Sequence, residues 1–249
     1  MLAWCRLVGI KTVLFAESWY PSAGKPEKLK STLLDRLCTG YLVSGSRAAN
    51  HFKVRLSLKK PLQIGYSVVD NGHFAQAKTI RVGLPKVILC VARFAPEKDL
   101  HTLIRAFRQS QLPAQAWQLK LVGGGPDKAK LVELAGNDTS IHFQDWVSYA
   151  ELPALYASAS VFVLPSAFEP WGLVINEALA AGLACIASDA VGALPDLLPL
   201  QPPHCFKAGN VVSLAACLTM VCAEPAHYQR AFPEGFTCED WAKRFLELS

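Results

Sequence analysis

Two glutamates eight positions apart, Glu169 and Glu177, are the residues whose type and spacing most clearly indicate chemistry in this 249-residue chain. The apolar run 160–165 before them predicts a buried strand, and the run 177–182 predicts a helix that ends at a glycine. Glu169 should therefore lie in a loop and Glu177 on the helix that follows. A strand, a glycine-containing turn and a helix N-terminus form a natural phosphate site, because backbone N–H groups there point at the anion.

Carboxylates at both ends of such a turn could accept hydrogen bonds from sugar hydroxyls on either side of a phosphate. A nucleotide-sugar presents these groups in that order: ribose, diphosphate and hexose. The ordinary alternative is one solvated loop acid and one acid on a helix surface, since a motif match by itself is a weak signal.

Four segments of the chain strengthen the first interpretation. They are a strand with an Arg/Lys loop (87–99), a glycine-rich turn (119–126), a strand with a following loop (141–147) and the segment with both glutamates (168–178). In this order they resemble the donor-binding domain of retaining glycosyltransferase family 4, the glycosyl transferases group 1, whose members have the two-domain GT-B fold. The family usually has a glycine where Asp99 stands and often a glutamate where Asp196 stands.

Arg93 and Lys98 flank the loop after the first strand of this region. Charge builds on the leaving diphosphate when a nucleotide-sugar donates its sugar, and fixed cations stabilise that charge. Arginine can bind two phosphate oxygens, and lysine acts as a point charge. The alternative is a salt bridge at the start of a helix, with Glu97 or Asp99 as the acid.

The resemblance implies roles for the remaining site residues. Glu177 would bind the ribose hydroxyls and Glu169 the transferred sugar, so Arg93, Lys98 and Glu169 are the candidate catalytic residues. The candidate donor-binding residues are Gly124, Gly125, Trp146, Val147, Pro170, Trp171, Gly172, Leu173, Val174 and Glu177. The glycines have the alternative role of a tight turn, and Trp146 that of an ordinary core aromatic.

The resemblance also implies the reaction and its requirements. The anomeric configuration would be retained through front-face attack, with the leaving phosphate taking the acceptor proton and no enzyme nucleophile. No cofactor or metal would be needed, and the nucleotide-sugar would be a substrate. The acceptor would be a glycan or a lipid-linked acceptor, as in cell-wall or polysaccharide biosynthesis.

Alternating strand and helix patterns predict an α/β fold with parallel sheets. We expect a GT-B-type chain: a partial Rossmann-like acceptor-side domain (1–75), a linker (76–85), a complete Rossmann-like donor domain (86–232) and a C-terminal helix that crosses back (233–249). The predicted strands are 11–16, 41–44, 63–69, 87–91, 118–122, 140–144, 161–164, 184–187 and 204–207. The principal predicted helices are 27–37, 46–58, 100–109 and 239–248, with Asp99 capping the third.

The expected acceptor-side domain is short. Only about 75 residues precede the predicted linker, and they match the last three strands of a full domain. We therefore expect either a fragment or a chain that needs a partner or self-association, since unpaired strand edges and apolar faces are a liability.

Composition limits the other classes. The chain is 51% apolar and 18% charged, and no apolar run reaches the roughly 18 residues that a membrane span needs. Its start lacks the pattern of a signal peptide. The eight cysteines form no CxxC pair, which is typical of a reduced cytoplasmic protein, and Cys90 and Cys185 should be core residues.

Charge is uneven along the chain. Residues 1–86 carry 14 of the 25 Lys and Arg but only 4 of the 20 Asp and Glu. The basic excess is densest at Arg47, His51, Lys53, Arg55, Lys59 and Lys60. A solvated helix face is the favoured explanation, and attraction to an anionic acceptor or the inner membrane surface is the alternative. No nucleic-acid motif accompanies these residues.

Several functions fit the segments. The first is glycosyl transfer, and the second is a non-catalytic half that binds nucleotide-sugar. A third is a nucleotide-sugar 2-epimerase, which shares the fold. A glycoside hydrolase with Glu169 and Glu177 as its carboxylate pair is disfavoured by the phosphate-type cations and the alternating α/β pattern.

Overall fold

The structure, a computed structural model, describes residues 1–17, 19 and 25–248, with the backbone alone for residues 25–28, 30 and 55. Its contacts divide the chain into two units. Unit 1 comprises Met1–Val69 and Pro233–Ser249, and unit 2 comprises Asp70–Phe232. Each unit is an α/β structure built on its own parallel sheet. Within the described residues, no helix is both long and apolar enough to cross a bilayer.

The described part of unit 1 contains a three-stranded parallel sheet in the order β1-β2-β3. The strands are β1 (Val13–Ala16), β2 (Gly40–Val43) and β3 (Leu62–Ile64), and the helices are α1 (Leu2–Leu7), α2 (Lys25–Leu37) and α3 (Gly45–Asn50). Its core centres on the fully buried Cys38 and Tyr41. The sequence pattern therefore predicted each of these elements except α1, although their ends differ.

Two predicted ends in unit 1 are wrong. The strand expected over 63–69 ends at Ile64, because Tyr66 has a φ of 60°, which no strand can accommodate. In the helix expected over 46–58, the α-helical hydrogen-bonding pattern ends at Asn50 and continues as a π-helical turn, His51–Arg55.

The basic cluster of unit 1 is not one solvated face. His51 is only 4% exposed, and the guanidinium of Arg47 lies over the ring of Trp19, 4.5 Å from its centroid. The side chain of Arg55 lies outside the described residues. The favoured explanation of this cluster is therefore wrong for His51, while Lys53 and Lys59 are exposed.

Unit 2 contains a six-stranded parallel sheet in the order β6-β5-β4-β7-β8-β9. The strands are β4 (Val87–Val91), β5 (Gln118–Val122), β6 (Ile141–Gln144), β7 (Val161–Leu164), β8 (Ala184–Ser188) and β9 (Cys205–Phe206). The helices are α4 (Asn71–Ile80), α5 (Leu100–Gln109), α6 (Lys128–Ala135), α7 (Leu152–Ala157), α8 (Leu173–Ala180), α9 (Leu194–Leu197), α10 (Val211–Ala223) and α11 (Pro225–Tyr228). Strands β4, β5 and β7 match their predicted bounds, and Cys90 and Cys185 are buried as expected.

The strand order of this sheet reverses between β4 and β7. From β4 the chain proceeds outward through β5 and β6, whereas from β7 it proceeds the other way through β8 and β9. In open parallel sheets, ligands bind in the crevice at the carboxyl ends of the strands at such a switch point. The loops after β4 and β7 carry Arg93, Lys98 and Glu169, so topology places the predicted residues at this crevice.

The linker predicted over 76–85 is wrong in its first half, which belongs to helix α4. The Asp70 side chain caps this helix by accepting a hydrogen bond from the His73 N–H (3.0 Å). Phe74 and Ala77 are fully buried, and α4 packs against α7 and α8 of unit 2. An aspartate cap and an apolar pair three residues apart, packed against α7 and α8, together account for this helix.

The predicted C-terminal helix is α12 (Cys238–Leu246), and its contacts group it with unit 1. Trp241 packs edge-on against Phe15 of β1, with ring centroids 5.9 Å apart. The amide of Gln63 donates to the carboxylate of Glu247 (3.1 Å). The last helix and the first three strands therefore form one packed unit.

The backbone of Asp99 explains why aspartate can stand where the resemblance leads one to expect glycine. It has a φ of 46° and caps α5 by accepting from the Thr102 N–H, while its preceding turn, Pro96–Lys98, is 3₁₀-helical. A left-handed residue at this position favours glycine, and aspartate is among the few others that tolerate it. Asp99 therefore replaces the usual glycine and adds a side-chain cap, as predicted.

Candidate functional site

The loops after β4 and β7 are joined directly by backbone hydrogen bonds. The Ala167 N–H donates to the Glu97 carbonyl (2.9 Å), so the two carboxyl ends at the switch point form one rim. The loop after β8 supports this rim from the other side, because the Glu169 N–H donates to the Ala190 carbonyl (3.1 Å). Glu169 thus has a backbone fixed by its neighbours before any ligand binds.

A cavity of about 230 Å³ opens at this rim. Its walls are Val91, Ala92, Arg93, Lys98, Trp146, Leu164, Glu169, Gly172, Leu173 and Val174. All three candidate catalytic residues and several of the candidate donor-binding residues therefore meet around one space. Its volume is below the roughly 300–1,000 Å³ typical of small-molecule pockets, so a whole nucleotide-sugar would extend beyond it.

An ion pair crosses the cavity. The Lys98 ammonium contacts the Glu169 carboxylate, and the two side chains are 20% and 12% exposed. Ser166 also donates to this carboxylate (3.4 Å), and Ser166 is itself held by the Ser188 hydroxyl, which donates to its carbonyl (2.5 Å). Glu169 and Lys98 are thus oriented by each other and by the loops on both sides.

Arg93 lies at the more open side of the same cavity. Its guanidinium pairs with Glu97 at 2.6 Å, and the side chains are 63% and 40% exposed. The hydrogen bond from Arg93 holds the pKa of Glu97 below its ordinary value. The salt bridge raised as an alternative is therefore present for Arg93, whereas Lys98 pairs with Glu169, which sequence spacing gave no reason to expect.

Helix α8 begins at the cavity. Gly172 precedes it with a φ of 99°, and a Cβ there would lie 2.9 Å from the Leu164 side chain. Only glycine satisfies both the backbone angle and this close approach. Leu173 and Val174, the first residues of the helix, line the cavity, so the backbone N–H groups of its first turn lie where an anion would be stabilised.

Glu177 lies on the same helix but is not part of the cavity wall. The Tyr156 hydroxyl donates to its Oε2 at 2.5 Å. Burial raises the pKa of Glu177, while the Tyr156 hydrogen bond and the charge of His73 oppose that rise. The second predicted carboxylate is therefore present and oriented, in an environment unlike that of Glu169.

The glycine-rich turn packs against the loop after β4. A Cβ at Gly123 would overlap the Ala92 carbonyl oxygen, and one at Gly125 would overlap that of Phe94. The Phe94 N–H also donates to the Gly124 carbonyl (2.8 Å). These contacts support the alternative role of a tight turn, and neither Gly124 nor Gly125 lines the cavity.

Trp146 is 58% exposed, so its alternative role as a core residue is wrong. Its indole lines the cavity and lies beside the glycine-rich turn, with Nε1 3.5 Å from where a Cβ of Gly124 would be. An exposed aromatic face beside the cavity is available for stacking on a planar ring. Val147, the next residue, is half-buried and outside the cavity wall.

Two other predicted contacts are placed away from the cavity. Trp171 is 1% exposed, and its indole N–H donates to the Asn176 side-chain oxygen (2.9 Å), which makes it a core residue that supports α8. Pro170 is half-buried and is not part of the wall. The prediction missed the apolar floor, Val91, Ala92 and Leu164, although their positions at strand ends were a usable signal.

Within the residues that the structure describes, no group of three His, Cys, Asp or Glu side chains could hold a metal ion. Among the described residues, the positively charged side chains that line the cavity are those of Arg93 and Lys98, and the first residues of α8 lie beside them.

Comparison with known proteins identifies the family. Residues 74–230, more than half of the chain, match the family model described as glycosyl transferases group 1. The chain belongs to this family. The match covers nearly all of unit 2, including every residue of the candidate site.

Curated relatives match over the same region. A glycogen synthase of Mycobacterium tuberculosis is 31% identical over 157 residues, which are 62% of this chain and 38% of the relative. A GDP-mannose-dependent alpha-(1-6)-phosphatidylinositol monomannoside mannosyltransferase from the same organism is 34% identical over 126 residues, 47% of this chain and 33% of the relative. The matched regions thus span about a third of these relatives.

A solved structure extends the likeness to both units. Sucrose-phosphate synthase from Thermosynechococcus elongatus superposes with a TM-score of 0.71 and 22% identity, covering 99% of this chain and 66% of that one. The predicted fold class, α/β of the GT-B type, is confirmed.

Proposed function

We propose that unit 2 binds a nucleotide-sugar donor and that the whole protein transfers its sugar to a hydroxyl of a glycan or lipid-linked acceptor. The observation that carries the proposal is that Arg93, Lys98 and Glu169 surround one cavity at the start of α8. Family membership supports it, and so does the GDP-mannose dependence stated in the name of one relative.

The ion pair suggests how a donor would be held. Its diphosphate would lie between Arg93, Lys98 and the N–H groups of α8, where cations and the helix terminus both favour negative charge. Binding would then draw Lys98 toward the phosphate. The Glu169 carboxylate, released from Lys98, would accept hydrogen bonds from the sugar hydroxyls. Lys98 and Glu169 already line the same cavity, so the exchange would move charged atoms only within it.

The proposed reaction breaks the bond between the anomeric carbon and the phosphate oxygen, and its electron pair stays on the diphosphate. The acceptor oxygen forms the new bond on the same face, and its proton moves to the leaving phosphate oxygen. Retention of configuration follows from that geometry. The contribution of Arg93 and Lys98 is to stabilise charge that grows on the diphosphate during bond cleavage.

The test is calorimetric titration of the chain with UDP, GDP, ADP and their glucose or mannose conjugates in the presence of a chelator. Because two side-chain cations face the phosphate site, we expect at least one of these ligands to bind without added metal. Binding only after Mg²⁺ is added would contradict the metal-free part of the proposal, and no binding at all would contradict the site.

A second candidate function is a nucleotide-sugar-binding half that transfers sugar only with a partner chain. It is favoured by unit 1, where β1 pairs with β2 alone among the described residues and leaves its other edge open. Open edges seek further strands. Light scattering combined with a transfer assay, with and without a co-expressed acceptor-domain segment, separates the two. A monodisperse monomer that glycosylates an acceptor unaided would exclude this second candidate.

A further inference from the structure

Tyr156 is a buried phenol that points its polar end at a functional residue. It lies on α7 and is 0% exposed, and its ring packs against Phe74 of α4 and Phe162 of β7, with centroids 5.7 and 5.9 Å away. A buried hydroxyl needs a partner, and this one donates to Glu177 Oε2 at 2.5 Å. Tyr156 therefore ties α7 to the middle of α8.

The elements on both sides of this contact are themselves fixed. Arg81, just after α4, donates to the carbonyls of Ala181 (2.9 Å) and Gly182 (3.0 Å) at the end of α8. It also reaches the Tyr156 carbonyl at 3.5 Å. The Tyr156 hydroxyl and the Glu177 carboxylate thus meet between helices whose ends are clamped together.

We propose that Tyr156 is a positioning residue, whose hydroxyl holds the Glu177 carboxylate in the orientation and the ionised form that bind the ribose diol of the donor. This inference rests on the donor binding proposed above. A carboxylate offers about four acceptor sites, and Tyr156 uses one of them. The remaining acceptor sites are available to the ribose hydroxyls, and hydrogen bonds from these hydroxyls to a fixed carboxylate are strong.

The electrostatic surroundings support this role. Burial raises the pKa of Glu177, and the Tyr156 hydrogen bond on α7 is the largest influence that opposes it, followed by His73 on α4. The buried thiols of Cys185 on β8 and Cys90 on β4 lie near Tyr156. Burial also raises the pKa of Tyr156 well above its usual range, so its hydroxyl keeps the proton that it donates.

The experiment compares ribose with its deoxygenated form. The nucleoside diphosphate that binds best among UDP, GDP and ADP is titrated into the wild type and Tyr156→Phe, alongside its 2′,3′-dideoxy analogue. Tyr228→Phe is the control, because Tyr228 is half-buried against another hydrophobic cluster of the same unit, beside His204 before β9, and is not part of the cavity wall. Glu177→Gln and the double variant Tyr156→Phe/Glu177→Gln complete the cycle, and thermal unfolding reports whether each variant is folded.

We expect Tyr156→Phe to weaken binding of the ribonucleotide by about three- to tenfold and that of the dideoxy analogue by less than about twofold. In the Glu177→Gln background the same change should have no further effect. As pH falls, the ribose-dependent affinity of Tyr156→Phe should be lost at a higher pH than that of the wild type, because the hydroxyl no longer favours the ionised carboxylate.

Equal losses for both nucleotides, or an undiminished effect of Tyr156→Phe in the Glu177→Gln background, would overturn the inference while leaving donor binding intact. A wild type that binds a nucleotide but does not distinguish ribose from dideoxyribose would do the same. A wild type that binds none of the nucleotides would overturn the proposed function and this inference with it. A Tyr156→Phe variant that does not fold would also overturn the inference, because the hydroxyl would then serve the fold rather than the donor site.

Discussion

Glu169 and Glu177 are separated by half a helix and a turn, yet their surroundings differ in kind. Glu169 lies in the cavity wall, is fixed by three loops and pairs with a lysine. Glu177 lies off that wall, pairs with a tyrosine, and burial raises its pKa. The comparison teaches that one carboxylate is held by an ion pair and the other by a hydrogen bond from a buried, neutral hydroxyl.

This difference has a chemical use. In the proposed site, a charge-paired acid would exchange its partner when a phosphate arrives, so its contacts would respond to the donor. An acid fixed by a neutral hydroxyl keeps the same contacts with and without a ligand, so it suits a constant part of the donor such as ribose.

The largest effect is expected from removing the cation. Lys98→Met should weaken binding of a nucleoside diphosphate by tenfold or more, since a hydrogen bond to a charged group contributes about 1.5–3 kcal/mol. It should also destabilise the fold, because it leaves the Glu169 carboxylate, only 12% exposed, without its lysine. Calorimetry and thermal unfolding measure both effects.

Lys130→Met is the matched control, since Lys130 lies on α6, is 72% exposed and pairs with Asp127 at 3.5 Å. Its surface pair should contribute little. Similar binding by the two variants would show that the cavity cation does not contact phosphate.

A smaller effect, on stability, is expected from substitutions at Asp99, the residue after Lys98. Asp99→Ala should destabilise the chain by about 1–3 kcal/mol, because alanine loses the cap of α5 and is disfavoured at a φ of 46°. Asp99→Gly should cost less than Asp99→Ala, since glycine adopts this angle freely. Denaturant unfolding gives the order. An alanine variant as stable as the glycine variant would show that the left-handed angle is not required there.

The smallest effect concerns the stability contributed by Glu177 as pH changes. At a pH above the raised pKa of Glu177, the folded wild type contains a buried, ionised carboxylate. This charge destabilises the wild type but is absent from Glu177→Gln. As pH falls through that value, the folded chain takes up a proton before the unfolded chain does. As pH falls from the raised pKa to the ordinary glutamate pKa of ~4.3, the free energy of unfolding of the wild type should therefore rise relative to that of Glu177→Gln.

The measurement is the difference in unfolding temperature between the two proteins from pH 8 to pH 4. A change of a few degrees is expected, since ~1 kcal/mol shifts the midpoint by roughly 2–4 °C at this size. Glu133→Gln, an exposed acid on α6, is the control. A constant difference across the range would contradict the raised pKa.

The sequence predicted most of unit 2 and the placement of its two glutamates. Strands such as Val161–Leu164 are continuous apolar runs, and Gly172 marks the turn before α8, so local pattern was sufficient. The partner of Lys98 could not be predicted, because Glu169 is 71 residues away and meets it only through the order of strands. Tyr156 was missed for the same reason.

Other errors were local conflicts. Helix α4 was taken as a linker because its apolar face is only Phe74 and Ala77, and its burial comes from α7 and α8 rather than from its own pattern. For Trp146 the sequence left a donor-binding residue and a core aromatic as alternatives, and its loop exposes it at the cavity. The sequence pattern predicts helices and strands well. The contacts between loops depend on the order of the strands in the sheet, which the pattern does not give.

The most direct test of the account is the separate effect of the two glutamates. Glu169→Gln and Glu177→Gln would each be titrated with a nucleoside diphosphate and with the matching nucleotide-sugar. The account predicts that Glu177→Gln weakens both ligands by about tenfold, and that Glu169→Gln weakens the nucleotide-sugar by about tenfold while the bare diphosphate binds as well as before or better. Equal effects of both substitutions on the bare diphosphate would contradict the division between ribose and sugar on which the proposed site rests.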